Sequence, residues 1–163
     1  MISNSVDNIS IDDLLLKEGD GEYELEIPND FGYVRYIRDF IAEKALAYGF
    51  NEERCTDIQI IADELCNNAI EHGSPILDKT IVRIMLKFSN RELNMTIKDT
   101  GKGGLDIKES LSEDEKKHLE FRQELSSIKR GRGLFLVREL SDEYDFDINP
   151  ETGSTIRVVI RCT

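Results

Sequence analysis

The chain of 163 residues lacks the marks of several large protein classes. Its three cysteines, Cys55, Cys66 and Cys162, are odd in number and have no C-x-x-C spacing. This argues against a disulfide framework or a zinc site and for a reducing compartment. No run approaches the roughly 18 apolar residues that span a bilayer, and residues 1–16 have no basic region followed by an apolar stretch. We therefore expect a cytoplasmic protein.

Basic residues are also few relative to acidic ones. The chain has 33 acidic and 21 basic side chains, which give a formal net charge of −12 at pH 7. A field of this sign repels phosphate backbones and anionic lipids, so we expect neither nucleic acid nor a membrane surface as a partner. A basic protein or a metal-bound nucleotide fits this charge better.

The length predicts one domain. Residues 1–21 are polar and acidic and are predicted to form a leader that is disordered, as termini often are. Ile9, Ile11 and the run Leu14–Leu16 keep docking open as the alternative. Residues 22–163 are predicted to form a single domain. Its residues 100–130 contain no clean strand, and such long loops are often functional lids.

Periodicity predicts the elements of this domain. Residues 23–27 alternate as in a strand with one wet face. A first helix over 31–48, capped by Asn29 or Asp30, would turn four side chains inward. A second helix over 52–71 precedes strands at 80–88 and 92–99, joined by a tight turn at Asn90-Arg91. A helix over 133–140 and strands near 144–148 and 155–160 complete an α+β sandwich. The four inward side chains of the first helix are Val34, Ile37, Ile41 and Leu46.

The second helix carries two polar side chains beside its apolar stripe. Glu64 and Asn68 lie four residues apart, so they project from one stripe of its surface. A carboxylate and a carboxamide can together orient a hydroxyl and hold Mg²⁺, which prefers oxygen ligands. A solvated helix face with an i,i+4 pair explains the same two residues equally well, so the pair alone is weak evidence.

Two glycine-rich segments follow. Asp99 ends a strand and precedes Gly101 and Gly103, which would let a backbone approach a ligand closely. The second segment lies where the lid meets the next helix, and unpaired amides at the start of a helix attract phosphate. A plain turn and a basic surface cluster are the alternative interpretations. The residues of the second segment are Lys129, Arg130, Gly131, Arg132, Gly133 and Leu134.

Other nucleotide-binding motifs are excluded. Neither glycine segment matches G-x-x-x-x-G-K-[ST], and the elements do not alternate as β-α-β, which disfavours a dinucleotide fold. A final candidate is the Gly153-Ser154-Thr155 segment at the start of the last strand. A hydroxyl at this position could contact a ligand, although Thr155 is also an ordinary strand residue.

The order of these motifs resembles that of the GHKL ATPase family. The order is a helix with E-x-x-x-N, a hairpin, D-x-G-x-G, a long loop, G-x-G before a helix, and a G-S-T strand. Residues 63–73, DELCNNAIEHG, are similar to the N box of the bacterial anti-sigma factor serine kinases. The resemblance covers about residues 22–161. It implies a two-layer Bergerat-type sandwich with a mixed, mostly antiparallel sheet and helices on one face.

The resemblance also implies a role for each motif in ATP binding. Glu64 would be the general base toward a protein serine or threonine hydroxyl, and Asn68 would be a Mg²⁺ ligand. Asp99 would bind the adenine amine, assisted by Thr155. Gly101 and Gly103 would give room for the nucleotide. The segment from Lys129 to Leu134 would close over its phosphates, with Lys129, Arg130 and Arg132 all open candidates for the γ-phosphate contact.

The function implied is that of an anti-sigma factor serine/threonine kinase. Such proteins bind a sigma factor or phosphorylate an antagonist protein, and they often form homodimers. The alternative is an ATP-binding partner-switch module with little or no kinase activity, and Glu64 favours catalysis. A histidine kinase is disfavoured, because the only candidate phosphoacceptor segment, around His118, lies within the predicted lid.

Overall fold

A computed structural model describes residues 9–28, 30–72, 81–99, 134–149 and 153–162. Two single 3-10 turns, Ile11–Asp13 and Phe31–Tyr33, precede the first strand and the first helix. The remaining elements of these ranges are β1 (Leu15–Gly19), β2 (Glu22–Pro28), α1 (Val34–Ala47), α2 (Glu52–His72), β3 (Ile81–Ser89), β4 (Glu92–Asp99), α3 (134–140), β5 (Glu143–Asn149) and β6 (Gly153–Arg161).

The strands form one sheet in the order β1-β2-β3-β4-β6-β5. Every pairing between them is antiparallel. The prediction of a mostly antiparallel sheet is confirmed, and the described strands contain no parallel pair. Asn90 and Arg91 join β3 to β4 with φ of 48° and 63°. Such positive values at both positions belong to the tight hairpin turn that the sequence predicted.

A single hydrophobic core lies between the sheet and the helices. Inward side chains of the strands alternate with half-exposed ones on the outer face, as in a sheet covered on one side only. α2 packs on α1 and on β3, β4 and β6, which makes it the central element of the helical layer. The predicted α+β sandwich is confirmed. The largest fully buried side chains are Leu25, Ile27, Ile37, Ile41, Ile58, Ile61, Leu65, Ile84, Leu93, Met95, Ile97 and Ile156.

Helix α1 differs from its prediction in one inward position. Val34, Ile37 and Ile41 are buried as expected, but Leu46 is 57% exposed and Ala45 is fully buried instead. Position 45 continues the spacing of three and four residues that begins at 34, whereas position 46 is rotated a further 100° or so about the helix axis. The helix is also shorter than predicted, because the turn Phe31–Tyr33 is 3-10 and is capped by Asp30.

The N-terminal segment is docked from residue 9 onward. β1 pairs with β2, and the Glu26 amide donates to the Leu14 carbonyl at 2.9 Å. Ile9 and Ile11 pack against the core. Gly21 permits the turn between β1 and β2, because its φ is +78° and an added Cβ would lie 2.6 Å from the Phe88 carbonyl oxygen. Docking, the alternative left open above, therefore replaces the disordered leader for residues 9–21.

Several predicted features lie outside the described residues. They are residues 1–8, Gly73 of the segment that is similar to the N box, and the lid at 100–130. None of the described helices combines the length and apolar character needed to cross a membrane.

A pair of leucines tests whether the N-terminal segment stabilises the fold. Leu14 is 6% exposed and Leu16 is 54% exposed. Replacing Leu14 with alanine should lower the free energy of unfolding by about 2–4 kcal/mol, because the cavity it leaves lies in the core. Leu16→Ala, the matched control, should cost about 0.5 kcal/mol or less. Urea unfolding measures both, and equal values for the two variants would contradict the docked arrangement.

Candidate functional site

Two buried polar side chains stand at the ends of the central strands. Asp99 is the last residue of β4 and Ser154 is the second residue of β6, and both are buried on the face that the helices cover. Lys98 pairs with Thr155, so the antiparallel register continued by one residue sets Asp99 opposite Ser154. A carboxylate and a hydroxyl on neighbouring strands can bind one polar group between them.

This register places Thr155, the hydroxyl predicted from the sequence, on the other face of the sheet from Asp99. Thr155 alternates with Ser154 and is half-exposed on the outer face, beside Lys98 and Asp147. Successive side chains of a strand point to opposite faces of the sheet, so Thr155 does not share the face of Asp99. Ser154 does. Counting the alternation back from Ile156 and Val158 could have shown this in the sequence alone.

Helix α2, which packs on β4 and β6, carries a second polar pair. Asn68 is buried, and Glu64, one turn earlier, is half-buried. The two residues of the predicted i,i+4 pair thus differ in exposure, because Asn68 is buried while Glu64 is in part accessible to solvent. The apolar side chains of α2 fix how the helix is rotated, because Ile61 and Leu65 are fully buried. Glu64 and Asn68 lie on the stripe next to these two residues.

Two of these buried groups lack hydrogen-bond partners in the described part of the chain. They are the Asn68 Nδ2 atom and the Ser154 Oγ atom. Burying an unpaired polar atom costs about 1–3 kcal/mol, so proteins retain such atoms mainly where a ligand or water completes them. Asn68 and Ser154 are therefore both candidates for contact with a polar ligand.

The donor set suits a magnesium ion held jointly with a ligand. Among the described residues, no group of three or more His, Cys, Asp or Glu side chains could hold a metal ion by itself. Mg²⁺ usually takes one or two protein oxygens together with water and substrate phosphates. The side-chain oxygen of Asn68 fits that pattern.

Cys66, a cysteine on the same helix as Glu64 and Asn68, is unreactive. Cys66 lies on α2 between Glu64 and Asn68, and its side chain is fully buried. Burial raises the pKa of its thiol to about 12, so it stays protonated at neutral pH. Cys66 is therefore a core residue and not a nucleophile. The described cysteines, Cys55, Cys66 and Cys162, are all free, as expected from their spacing.

Of the two predicted glycine-rich segments, only Asp99 and Leu134 are among the described residues. Gly101, Gly103 and residues 129–133 lie outside the described residues, so their predicted contacts stay predictions. Leu134, the last of the predicted nucleotide-binding residues, begins α3 and is buried in the core. Its side chain anchors α3, and any contact with a ligand falls to its backbone.

Known proteins match this chain over most of its length. The family described as the histidine kinase-like ATPase domain matches residues 27–160. An anti-sigma F factor of Bacillus subtilis is 29% identical over 111 residues, which are 65% of this chain and 68% of that protein. The serine-protein kinase RsbW of Bacillus pumilus is 28% identical over 134 residues, 82% of this chain and 81% of that protein.

The two hydroxyls at the start of β6 provide a matched test of the site. Ser154→Ala should weaken ATP binding by about three- to tenfold, because one hydrogen bond to the ligand is lost. Thr155→Ala, on the outer face, should bind ATP like the parent protein. Isothermal titration measures both affinities. The register argument fails if Thr155→Ala, and not Ser154→Ala, weakens binding.

Proposed function

Because the chain belongs to the histidine kinase-like ATPase family, we propose that it is an anti-sigma factor serine/threonine kinase that phosphorylates an antagonist protein with ATP. The observation that supports the proposal is a set of four buried or half-buried polar side chains on elements that pack against one another. Glu64 and Asn68 come from α2, and Asp99 and Ser154 come from β4 and β6. The names of the relatives, an anti-sigma F factor and a serine-protein kinase, support the same function.

An ATPase domain binds ATP, and the strand pair is the proposed adenine end of the site. The Asp99 carboxylate accepts a hydrogen bond from the exocyclic amine of adenine. The Ser154 hydroxyl, which is buried beside it, completes this contact directly or through a water molecule. Their burial excludes bulk water, and hydrogen bonds to charged groups are stronger in such surroundings.

The helix pair is the proposed catalytic end. Asn68 would hold Mg²⁺ through its side-chain oxygen, and the ion would supply neutralisation of the charge on the phosphates. Glu64 accepts the proton of the protein serine or threonine hydroxyl. The hydroxyl oxygen then bonds to the γ-phosphorus, and the bond between that phosphorus and the β-γ bridging oxygen breaks to release ADP. Phosphoryl transfer requires mainly positioning and charge neutralisation, which suits so few side chains.

The partner is proposed to be a protein, either a sigma factor or its antagonist. The acidic charge of −12 favours a partner with a basic contact surface and disfavours nucleic acid or an anionic membrane. Three free cysteines favour a reducing compartment, for which we propose the cytoplasm. Homodimer formation stays a prediction.

Asp99 tests the adenine assignment. Asp99→Asn should abolish detectable adenine-nucleotide binding. The substitution removes the negative charge and replaces one acceptor oxygen by an NH₂ group, which is a donor and cannot accept from the adenine amine. Asp145→Asn is the control, since Asp145 is exposed on the edge strand β5. Binding of a fluorescent ATP analogue measures both variants. An unchanged affinity in Asp99→Asn would contradict the assignment of Asp99 to the adenine amine.

Glu64 separates a kinase from a mere ATP binder. Glu64→Gln should bind ATP nearly normally but transfer phosphate more slowly, by about 10²- to 10⁴-fold if it acts as the general base. Glu53→Gln, an exposed change on the same helix, should leave the rate unchanged. Transfer of radiolabelled phosphate from ATP to an antagonist protein encoded beside this chain measures the rate. No transfer to any such neighbour by the parent protein would favour the partner-switch module instead.

A further inference from the structure

Arg54 is a buried charged residue that the proposed reaction does not use. It lies in the first turn of α2 and is only 8% exposed. Its backbone amide donates to Asn51 Oδ1 at 2.8 Å, so the Asn51 side chain caps the start of the helix. Charged side chains are rarely buried to this extent unless they are paired, so the surroundings of the guanidinium account for its position.

The guanidinium donates to four acceptors. Nε donates to the Arg161 carbonyl at 2.9 Å. Nη1 donates to the Leu140 carbonyl at 2.7 Å and to Asp57 Oδ2 at 3.1 Å. Nη2 donates to Asp142 Oδ2 at 2.7 Å, and the same oxygen accepts from the Arg161 amide at 2.7 Å. We call this set of contacts the Arg54 clasp.

The clasp joins three elements that are far apart in the sequence. Leu140 is the last residue of α3, Arg161 is the last residue of β6, and Asp142 lies in the link between α3 and β5. Asp142 is itself fixed to β6, because its amide donates to the Val159 carbonyl at 2.8 Å. One side chain of α2 thus determines where α3 ends relative to α2 and to the sheet.

Stability alone does not explain a charge at this place. Replacing buried ion pairs by well-packed apolar residues is often neutral or stabilising. What an arginine supplies, and an apolar side chain or a lysine does not, is a rigid planar fork of donors with fixed directions. The clasp therefore specifies the orientation of α3 rather than merely filling space.

We propose that Arg54 is a positioning residue for the phosphate end of the nucleotide site. α3 begins at Leu134, directly after the segment predicted to contact phosphates, whereas α2 carries Glu64 and Asn68. The Arg54 clasp fixes the last residue of α3 to the first turn of α2, about 15 Å along α2 from Glu64, and so acts on this end only through the relative position of the two helices. The inference rests on the proposed ATP-binding function, but it does not need kinase activity.

The test compares ATP with AMP, because the two ligands share the adenine end and differ at the phosphates. Arg54→Lys keeps the positive charge but cannot reach all four acceptors. It should weaken ATP binding by about five- to twentyfold, which corresponds to the loss of one or two hydrogen bonds between the protein and the phosphates. It should leave AMP binding within about twofold of the parent, since Asp99 and Ser154 hold the adenine. Calorimetry of the folded protein gives both affinities.

Three further measurements complete the design. Asp142→Ala removes one acceptor at a half-exposed position, so it should fold and show a smaller loss in the same direction. Arg83→Lys is the control, because Arg83 pairs with Glu26 at 2.5 Å on the outer face of the sheet, away from the clasp. Amide exchange at Asp142 and Arg161 should quicken in Arg54→Lys and stay slow in Arg83→Lys.

The ratio of ATP to AMP affinity decides the outcome. Partial unfolding lowers the binding-competent fraction for both ligands and leaves that ratio unchanged. Faster amide exchange with an unchanged ratio would make the clasp purely structural and overturn the proposal. A parent protein that binds AMP as tightly as ATP would also overturn it. A parent that binds ATP selectively but transfers no phosphate would refute the kinase proposal and leave the clasp testable.

Discussion

The packing of α2 on the sheet is the constraint on which the rest of the molecule depends. Ile58, Ile61 and Leu65 are fully buried between α2 and the strands. A two-layer sandwich has one core, so the helix that closes this core also determines which side chains face the sheet. The polar pair Glu64 and Asn68 lies beside this apolar stripe. The position of the site is therefore a consequence of how the core packs.

Polar contacts fix α2 where apolar packing alone would let it shift. Arg54 binds the ends of α3 and β6 near the start of the helix. Farther along, Arg38 of α1 donates to Asp63 Oδ2 at 3.1 Å, directly before Glu64. Hydrophobic burial is non-directional, whereas hydrogen bonds have preferred angles and lengths. The apolar face supplies the attraction, and the two arginines supply the direction.

Local patterns in the sequence predicted most of the elements and one half of the site. Periodicity identified α1, α2 and the hairpin of β3 and β4, because the repeats of 3.6 and 2 residues are local properties of the chain. The spacing of Glu64 and Asn68 also identified their shared stripe. The errors arose where a position near the end of a repeat was assigned by hydrophobicity alone. Leu46 is the example, since small Ala45 takes the buried position and the larger leucine is exposed.

The sequence by itself determined the helices, the strands, the tight turn at Asn90 and the order of the motifs, because each depends on residues a few positions apart. Only the tertiary structure decided that residues 9–19 add a turn and a strand to the sheet, and that β4 pairs with β6 in the register that sets Asp99 opposite Ser154. It also decided what Arg54 binds, since Leu140 lies 86 residues away along the chain. These outcomes depend on strand register and on packing between distant segments, and no local repeat encodes either one.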